Sequence, residues 1–275
     1  MTHVSRAHID QAESVSAQRR WWDAEAVNYY ADHGDFLGDA EFVWGPEGWT
    51  EAELGVLTGT PGDLPAGPVL EIGGGAGQCG RWLRRHGVDL VSTDLSMGMV
   101  RQGAAVNRTS GVPLPLLQCD GARLPFGDGS FGAVFTAYGV VPFVADPGEV
   151  MREAARVLRP GGRFAFSTSH PIRWAFPDVP GEAGLTAHQS YFDTRAYAER
   201  DDRGRLTYVE HHRTMGQRIR DIVAAGLLLI DVVEPRMAGT QCRRVGAAGR
   251  RCAAVSFPGR PSSSPRSRAA EPRDQ

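Results

Sequence analysis

The 275-residue chain contains no lysine; all thirty of its basic residues are arginine. That absence excludes Schiff-base catalysis and the phosphate-gripping lysine of a P-loop, since both need a primary amine. Cysteine is scarce, at four (Cys79, Cys119, Cys242, Cys252), and no two stand at C-x-x-C spacing. Neither a zinc site nor a disulfide framework is expected, and reduced thiols in a cytoplasmic protein are. No apolar run approaches the roughly 18 residues of a membrane span. The leading MTHVSRAHIDQAESVSAQRR lacks the apolar core of a secretory signal.

What is present is an ordinary globular composition, 41% hydrophobic and 23% charged, at a length that suits one large α/β domain with attachments. The formal net charge of −2 hides an asymmetry. Residues 236–275 hold nine arginines against Glu271 and Asp274, an excess of +7 that leaves −9 on the rest. Their last stretch, SFPGRPSSSPRSRAAEPRDQ, has too little apolar surface to offset its ordering entropy, so 236–275 reads as a basic, disordered tail. After Phe257 no aromatic residue is interleaved with the arginines, and no nucleic-acid partner is expected.

Upstream, RRWWDAEAVNYYADHG (19–34) places Trp22, Ala26, Tyr29 and Tyr30 on one face of a helix that Gly34 would end, with His33 capping it. A short helix is expected after Thr50. From Pro68 onward, strand-like runs at 68–72, 88–93, 114–119, 131–137, 162–169 and 227–233 alternate with helical stretches at 77–86, 96–107, 148–158 and 214–225. Asp146-Pro147 starts one helix and Pro160-Gly161-Gly162 stops it, while Thr214-Met-Gly-Gln217 fits a capping box. This alternation predicts an α/β fold with a doubly wound, mostly parallel sheet. A helical cover over 1–48 precedes the main domain, 49–235. Residues 170–213 break the rhythm and carry Trp174, Phe176, Tyr191, Phe192, Tyr197 and Tyr208, too many aromatics for a linker. They are expected to form a cap over a binding site.

The stretch VLEIGGGAGQCG (69–80) contains G-x-G-x-x-G at Gly75, Gly77 and Gly80. A glycine turn from strand to helix presents backbone N–H groups and the positive end of a helix to any nucleotide, so the pattern alone is not specific. Its neighbours narrow the choice. Glu71, just before the turn, would repel a pyrophosphate and favour a cationic ligand. Asp94 ends the next strand 19 residues after Gly75, where a carboxylate accepts from ribose hydroxyls. Cys119-Asp120-Gly121 ends the third, within reach of an adenine amino group.

With these residues in view, the chain resembles the class I S-adenosylmethionine-dependent methyltransferases, and within them the small-molecule subgroup. VLEIGGGAG is similar to their first motif and STDLS (92–96) to the acidic segment after it. Residues 119–144 resemble the second motif region, and EVMREAARVLRPGGRFAFSTSHP (149–171) the segment that closes on a strand. The likeness covers roughly 20–235 and extends to WWDAEA and YYADHG in front and HPIRWAFPD and YVEHHR behind. It implies a Rossmann-like methyltransferase fold with S-adenosyl-L-methionine as cofactor. Glu71, Gly73, Gly75 and Gly77 would surround the methionine moiety, and Asp94 would hold the ribose. Leu95 and Met99 would lie against the adenine, Asp120 and Gly121 at its edge. Tyr138 would line the methyl-donor side, and Tyr29 would fold over the cofactor. The competing readings are a helix cap for Asp94, a turn residue for Asp120, and plain packing for Tyr29, Tyr138 and Met99.

The implied reaction is methyl transfer to oxygen, nitrogen or carbon of a small molecule, in specialised metabolism. A base would help a hydroxyl or amine acceptor, and histidine titrates in the right range. His170, directly after the fifth strand, is the first candidate and His211 the second. The alternatives are an NAD(P)-dependent oxidoreductase and a catalytically inactive methyltransferase-like binding protein. The family closes its sheet with an antiparallel strand, for which Cys252–Phe257 is the candidate here.

Overall fold

The computed structural model describes residues 3–59, 63–64, 66–179 and 181–235, and the backbone of 252–258. Its central sheet begins with β2 (Val69–Ile72), buried along its whole length as a strand covered on both faces must be. β3 (Leu90–Asp94), β4 (Leu116–Gln118), β5 (Phe131–Ala137) and β6 (Leu158–Ser169) run parallel to it. The order is β4-β3-β2-β5-β6-β10-β9, where β9 is Asp231–Val233 and β10 is Cys252–Pro258, antiparallel to both neighbours. Five parallel strands with helices on both faces is the doubly wound architecture the alternation predicts. β10 takes the place foreseen for Cys252–Phe257, so 236–275 is not tail throughout; its other residues lie outside those described. The chain works outward from β2 to β4, then returns to β5 on the other side of β2. Ligands of open α/β sheets bind at such a reversal, beyond the carboxyl ends of the strands.

The helices start where their caps demand. α3 (Gln78–Arg85) follows Gly77, and α4 (Met97–Ser110) is capped by Ser96, whose side chain accepts from Met99 N. α5 (Pro147–Val157) starts at Asp146, which accepts from Gly148 N, and stops three residues short of Pro160. α6 (Met215–Ala224) carries the complete Thr214–Gln217 capping box, as does the one-turn α2 (Glu51–Leu54) with Thr50 and Glu53.

Two expectations are corrected. The lead-in helix α1 spans Gln11–Leu37, from an Asp10 cap to Gly38 at φ +69°. Gly34 lies inside it, because an interior glycine costs a helix only about 1 kcal/mol and packing overrides that. His33 is therefore an interior helix residue and not a cap. The helix is pinned to the main domain where Gly98 lets the backbone of Asp23 approach, and Asp23 accepts from Ser96 Oγ (2.7 Å) and Gly98 N (2.9 Å).

The second correction concerns the cover and cap, which are not purely helical and irregular. β1 (His3–Ala7) pairs antiparallel with β7 (Ala196–Arg200), which pairs with β8 (Leu206–Glu210) in a separate three-stranded sheet. Ile9 and Ala17 from the amino-terminal segment pack against Ala196, Ala198, Leu206 and Val209. The first part of the cover thus clasps the 170–213 insertion. Cys79 and Cys119 are free thiols, and no described helix is long and apolar enough to cross a membrane.

Phe135, at the centre of β5, is fully buried against Phe42 (ring centroids 4.9 Å) and Trp44 (6.3 Å). Phe135→Ala is expected to cost about 3–5 kcal/mol in urea unfolding. A loss of under about 1 kcal/mol would show that this face of the sheet is not the core.

Candidate functional site

At the reversal of strand order, above β2, β3 and β5, lies a cavity of about 440 Å³. Its floor is the sheet crest: Glu71, Ile72, Gly73, Gly74, Gly75, Asp94, Leu95, Met99, Cys119, Asp120, Gly121 and Tyr138. α1 roofs it with Trp21, Trp22, Tyr29, Tyr30 and His33. Val15, Gln18, Phe143, Val144 and Tyr208 close the far end.

The glycine loop is bare for two different reasons. At Gly75 (φ +57°) a side chain would meet nothing within 4 Å, so the main chain faces open cavity. At Gly74 and Gly80, a Cβ would fall 2.7 Å from the Glu71 carboxylate. The glycines therefore admit both a ligand above the turn and a carboxylate beneath it. Gly77 (φ +83°) does not line the cavity; its missing Cβ would lie 2.6 Å from Leu114, and it serves as the left-handed cap of α3.

Burial dominates the electrostatics. Glu71 is 2% exposed, and desolvation pushes it up to about 7 against the opposing pull of the Ser92 hydroxyl and Arg81. Its Oε2 has no hydrogen-bond partner. Asp94 is pushed up to about 6 by burial, although Ser96 N donates to its Oδ1 (2.8 Å) and Gly75 N to its Oδ2 (2.9 Å). In a chain of thirty arginines, none is among the described lining residues. Arg81 stands behind the loop, donating to Ala76 O (2.5 Å), Asn107 Oδ1 (3.1 Å) and Asp39 O (2.6 Å), and ties the glycine turn to α4. The site is acidic and without a strong cation.

Ten of the eleven residues expected at a cofactor line this one cavity: Tyr29, Glu71, Gly73, Gly75, Asp94, Leu95, Met99, Asp120, Gly121 and Tyr138. Asp120 also shapes its turn, accepting from Ala122 N at 2.9 Å. Tyr138 is the one described non-glycine residue at positive φ (+65°), and its hydroxyl lies 2.8 Å from Ser169 Oγ. A strained backbone held at a cavity wall fixes where a side chain points.

The two expected bases lie outside. His170 caps a 3-10 turn, Nδ1 accepting from Ile172 N (3.2 Å), and its Nε2 pairs with Glu234 at 2.8 Å. His211 is buried behind the lining, 3.0 Å from Ser14 Oγ, and desolvation lowers it to about 4. Their titration range and chain position suggested them, but neither is among the residues that line the cavity. Sequence reasoning missed the aromatic end, where Trp21, Trp22, Phe143 and Tyr208 touch in series (4.6 Å, 6.0 Å and 6.2 Å between ring centroids). Tyr208 was visible only as one aromatic among six in the insertion.

Because the folded pKa of Glu71 lies above its unfolded value, its contribution is whole below about pH 4.5 and is lost as pH rises through about 7. The ligand-free protein should lose about 2.5 kcal/mol more than Glu71→Gln between about pH 5 and pH 8 in urea unfolding. Parallel pH profiles would contradict a Glu71 carboxyl raised by burial.

A family profile described as "Methyltransferase domain" matches residues 70–166. Demethylmenaquinone methyltransferase of Beutenbergia cavernae is 38% identical over 130 residues, 46% of this chain and 49% of that protein. Its counterpart in Corynebacterium kroppenstedtii is 34% identical over 168 residues, 60% of this chain and 66% of that one. The chain thus spans about half the length of the first curated relatives it matches. A crystal structure of an S-adenosylmethionine dependent methyltransferase from Mesorhizobium loti superposes with a TM-score of 0.56 at 23% identity, over 78% of this chain and 100% of that one. With the matched segment running from β2 into β6 and the sheet reversing at the glycine loop, residues 70–166 of this chain form a methyltransferase domain, on the fold of the S-adenosylmethionine-dependent methyltransferases.

Proposed function

We propose that this protein transfers a methyl group from S-adenosyl-L-methionine to a small-molecule acceptor. The observation that carries the reading is the charge of the cavity: Glu71 and Asp94 beside an open glycine turn, with no arginine among the described residues of the wall. The bound cofactor would supply an electrophilic methyl on a cationic sulfur. Its ammonium and sulfonium match two carboxylates that burial holds near neutrality, whereas a dinucleotide pyrophosphate would meet carboxylates with no cation to offset them. The NAD(P) alternative therefore loses support.

Each residue has a chemical task in this reading. Asp94 has a backbone donor on each oxygen and keeps acceptor capacity on both, enough for two ribose hydroxyls. Leu95 and Met99 offer an apolar face to a base, and Asp120 an acceptor at its edge. Gly75 leaves the turn bare of side chain beside the amino-acid part, Gly73 lines the same wall, and Tyr29 covers it from α1. Tyr138, held by Ser169, forms the wall toward the methyl donor. The aromatic end receives the acceptor. Holding a nucleophile in line with the methyl can supply about 7–11 kcal/mol, and aromatic faces about 0.5–2 kcal/mol on a cationic donor.

The acceptor would be a small ring compound. The curated relatives are named for demethylmenaquinone, and four contacting aromatic side chains favour a flat ring. The same enclosed, aromatic-lined cavity leaves no track for a nucleic-acid strand. We place the protein in the cytoplasm, with no membrane partner.

S-adenosylhomocysteine should raise the melting temperature while NADH leaves it unchanged; the reverse pattern would overturn the proposal. Asp94→Asn removes a charge-assisted contact worth about 1.5–3 kcal/mol, so calorimetry should show S-adenosylhomocysteine binding about 10–100-fold more weakly. Unchanged affinity would remove Asp94 from the site. Label from methyl-tritiated S-adenosylmethionine should enter a member of a panel of phenols, amines and enols. Binding without transfer to any of them would favour the inactive binding protein.

A further inference from the structure

With His170 and His211 outside the cavity, the acceptor end still needs a group that can take a proton. Among the described lining residues there (Val15, Gln18, Trp21, Trp22, Phe143, Tyr208), Tyr208 is the one able to exchange one. His33, the one histidine in the lining, stands three turns further along α1 from Trp21, about 18 Å by helix rise, stacked on Tyr29.

Tyr208 is built for the role. It sits on β8 two residues before Glu210, so both project from one face of the strand. Val209 projects from the other, into the apolar cluster beneath the small sheet. The Tyr208 hydroxyl donates to Glu210 Oε1 at 2.5 Å, and Glu210 is 5% exposed. The ring itself stands in the aromatic end, 5.3 Å from Trp21 and 6.2 Å from Phe143. The carboxylate thus sits behind the wall and reaches the cavity through one phenol.

We propose that Tyr208 and Glu210 form a proton-accepting pair for the methyl acceptor, Tyr208 as the catalytic residue and Glu210 as the positioning residue that stores the proton. This inference rests on the methyl-transfer reading, and it names the acceptor class: a ring bearing an ionisable O–H. In the step, a lone pair of the acceptor oxygen forms the bond to the methyl carbon. The C–S pair leaves with sulfur, converting the sulfonium to a neutral thioether. As the O–C bond forms, the acceptor O–H becomes strongly acidic; its proton passes to Tyr208 Oη while the phenolic proton passes to Glu210 Oε1. Tyr208 ends unchanged and Glu210 ends as the neutral acid, to be discharged to solvent when the products leave.

The test varies acceptor acidity. Full-length wild type, Tyr208→Phe and Glu210→Gln are assayed at about pH 8 with methyl-tritiated S-adenosylmethionine and two probes: phenol, still protonated there, and para-nitrophenol, already an anion. S-adenosylhomocysteine affinity is measured for each by calorimetry. Both variants should lose about 10²-fold or more in kcat/KM on phenol, keep the wild-type rate on para-nitrophenol, and bind S-adenosylhomocysteine as wild type does. An equal loss on both probes, no loss on phenol, or altered cofactor affinity would overturn the pair's role. So would a wild type that binds S-adenosylhomocysteine and methylates neither probe. A wild type that does not bind S-adenosylhomocysteine would instead overturn the methyl-transfer reading beneath it.

Discussion

The structure depends on one constraint: two carboxylates held out of bulk water at a glycine turn, with no arginine among the described residues of the cavity wall. Desolvation raises both Glu71 and Asp94 well above the usual carboxylate range. Everything near them serves that arrangement. Gly74 and Gly80 leave room for the Glu71 carboxylate where a Cβ would collide with it. Arg81 is fully buried yet spends its hydrogen bonds on the carbonyls of Asp39, Ala76 and Gly103 and on Asn107, so it braces the loop from behind. The −9 of the first 235 residues and the +7 of the last forty show that a net charge near zero can conceal a strongly signed site.

The cover and the cap act together. α1 bonds to the main domain through Asp23 at the start of α4, and to the small sheet through Gln18, whose amide donates to Val209 O, and Arg20, which donates to Leu206 O. β1, from before α1, completes that sheet beside β7. The helix and the small sheet that roof the cavity are fastened to each other by a few hydrogen bonds over a small apolar cluster. Such lightly buried elements are where local opening concentrates.

Much of the fold was legible because parallel strands covered on both faces must be near-continuous apolar runs, as VLEI and FGAVFTA are. The helix starts were legible because Thr214, Asp146 and Thr50 satisfy specific orphan N–H groups. The small sheet was not: HVSRA and AYAER, which pair in it, are short and half polar, and they meet across most of the sequence. The crest residues were legible because their place follows from strand ends and turn chemistry. The acceptor end was not, since Phe143, Tyr208 and Trp21 come from three distant segments and meet only through tertiary packing. His170 and His211 follow strand ends in the chain, yet neither lines the described cavity, because a histidine's titration range does not fix where its ring points.

The central claim is that these two acids meet a cationic adenosine ligand. The most direct measurement is the proton balance of binding, from calorimetry of S-adenosylmethionine in buffers of different ionisation enthalpy at about pH 6.5, near the raised pKa values. A cation drawn against Glu71 and Asp94 lowers both, so binding should release protons. Proton uptake, or binding with no proton exchange, would contradict the account.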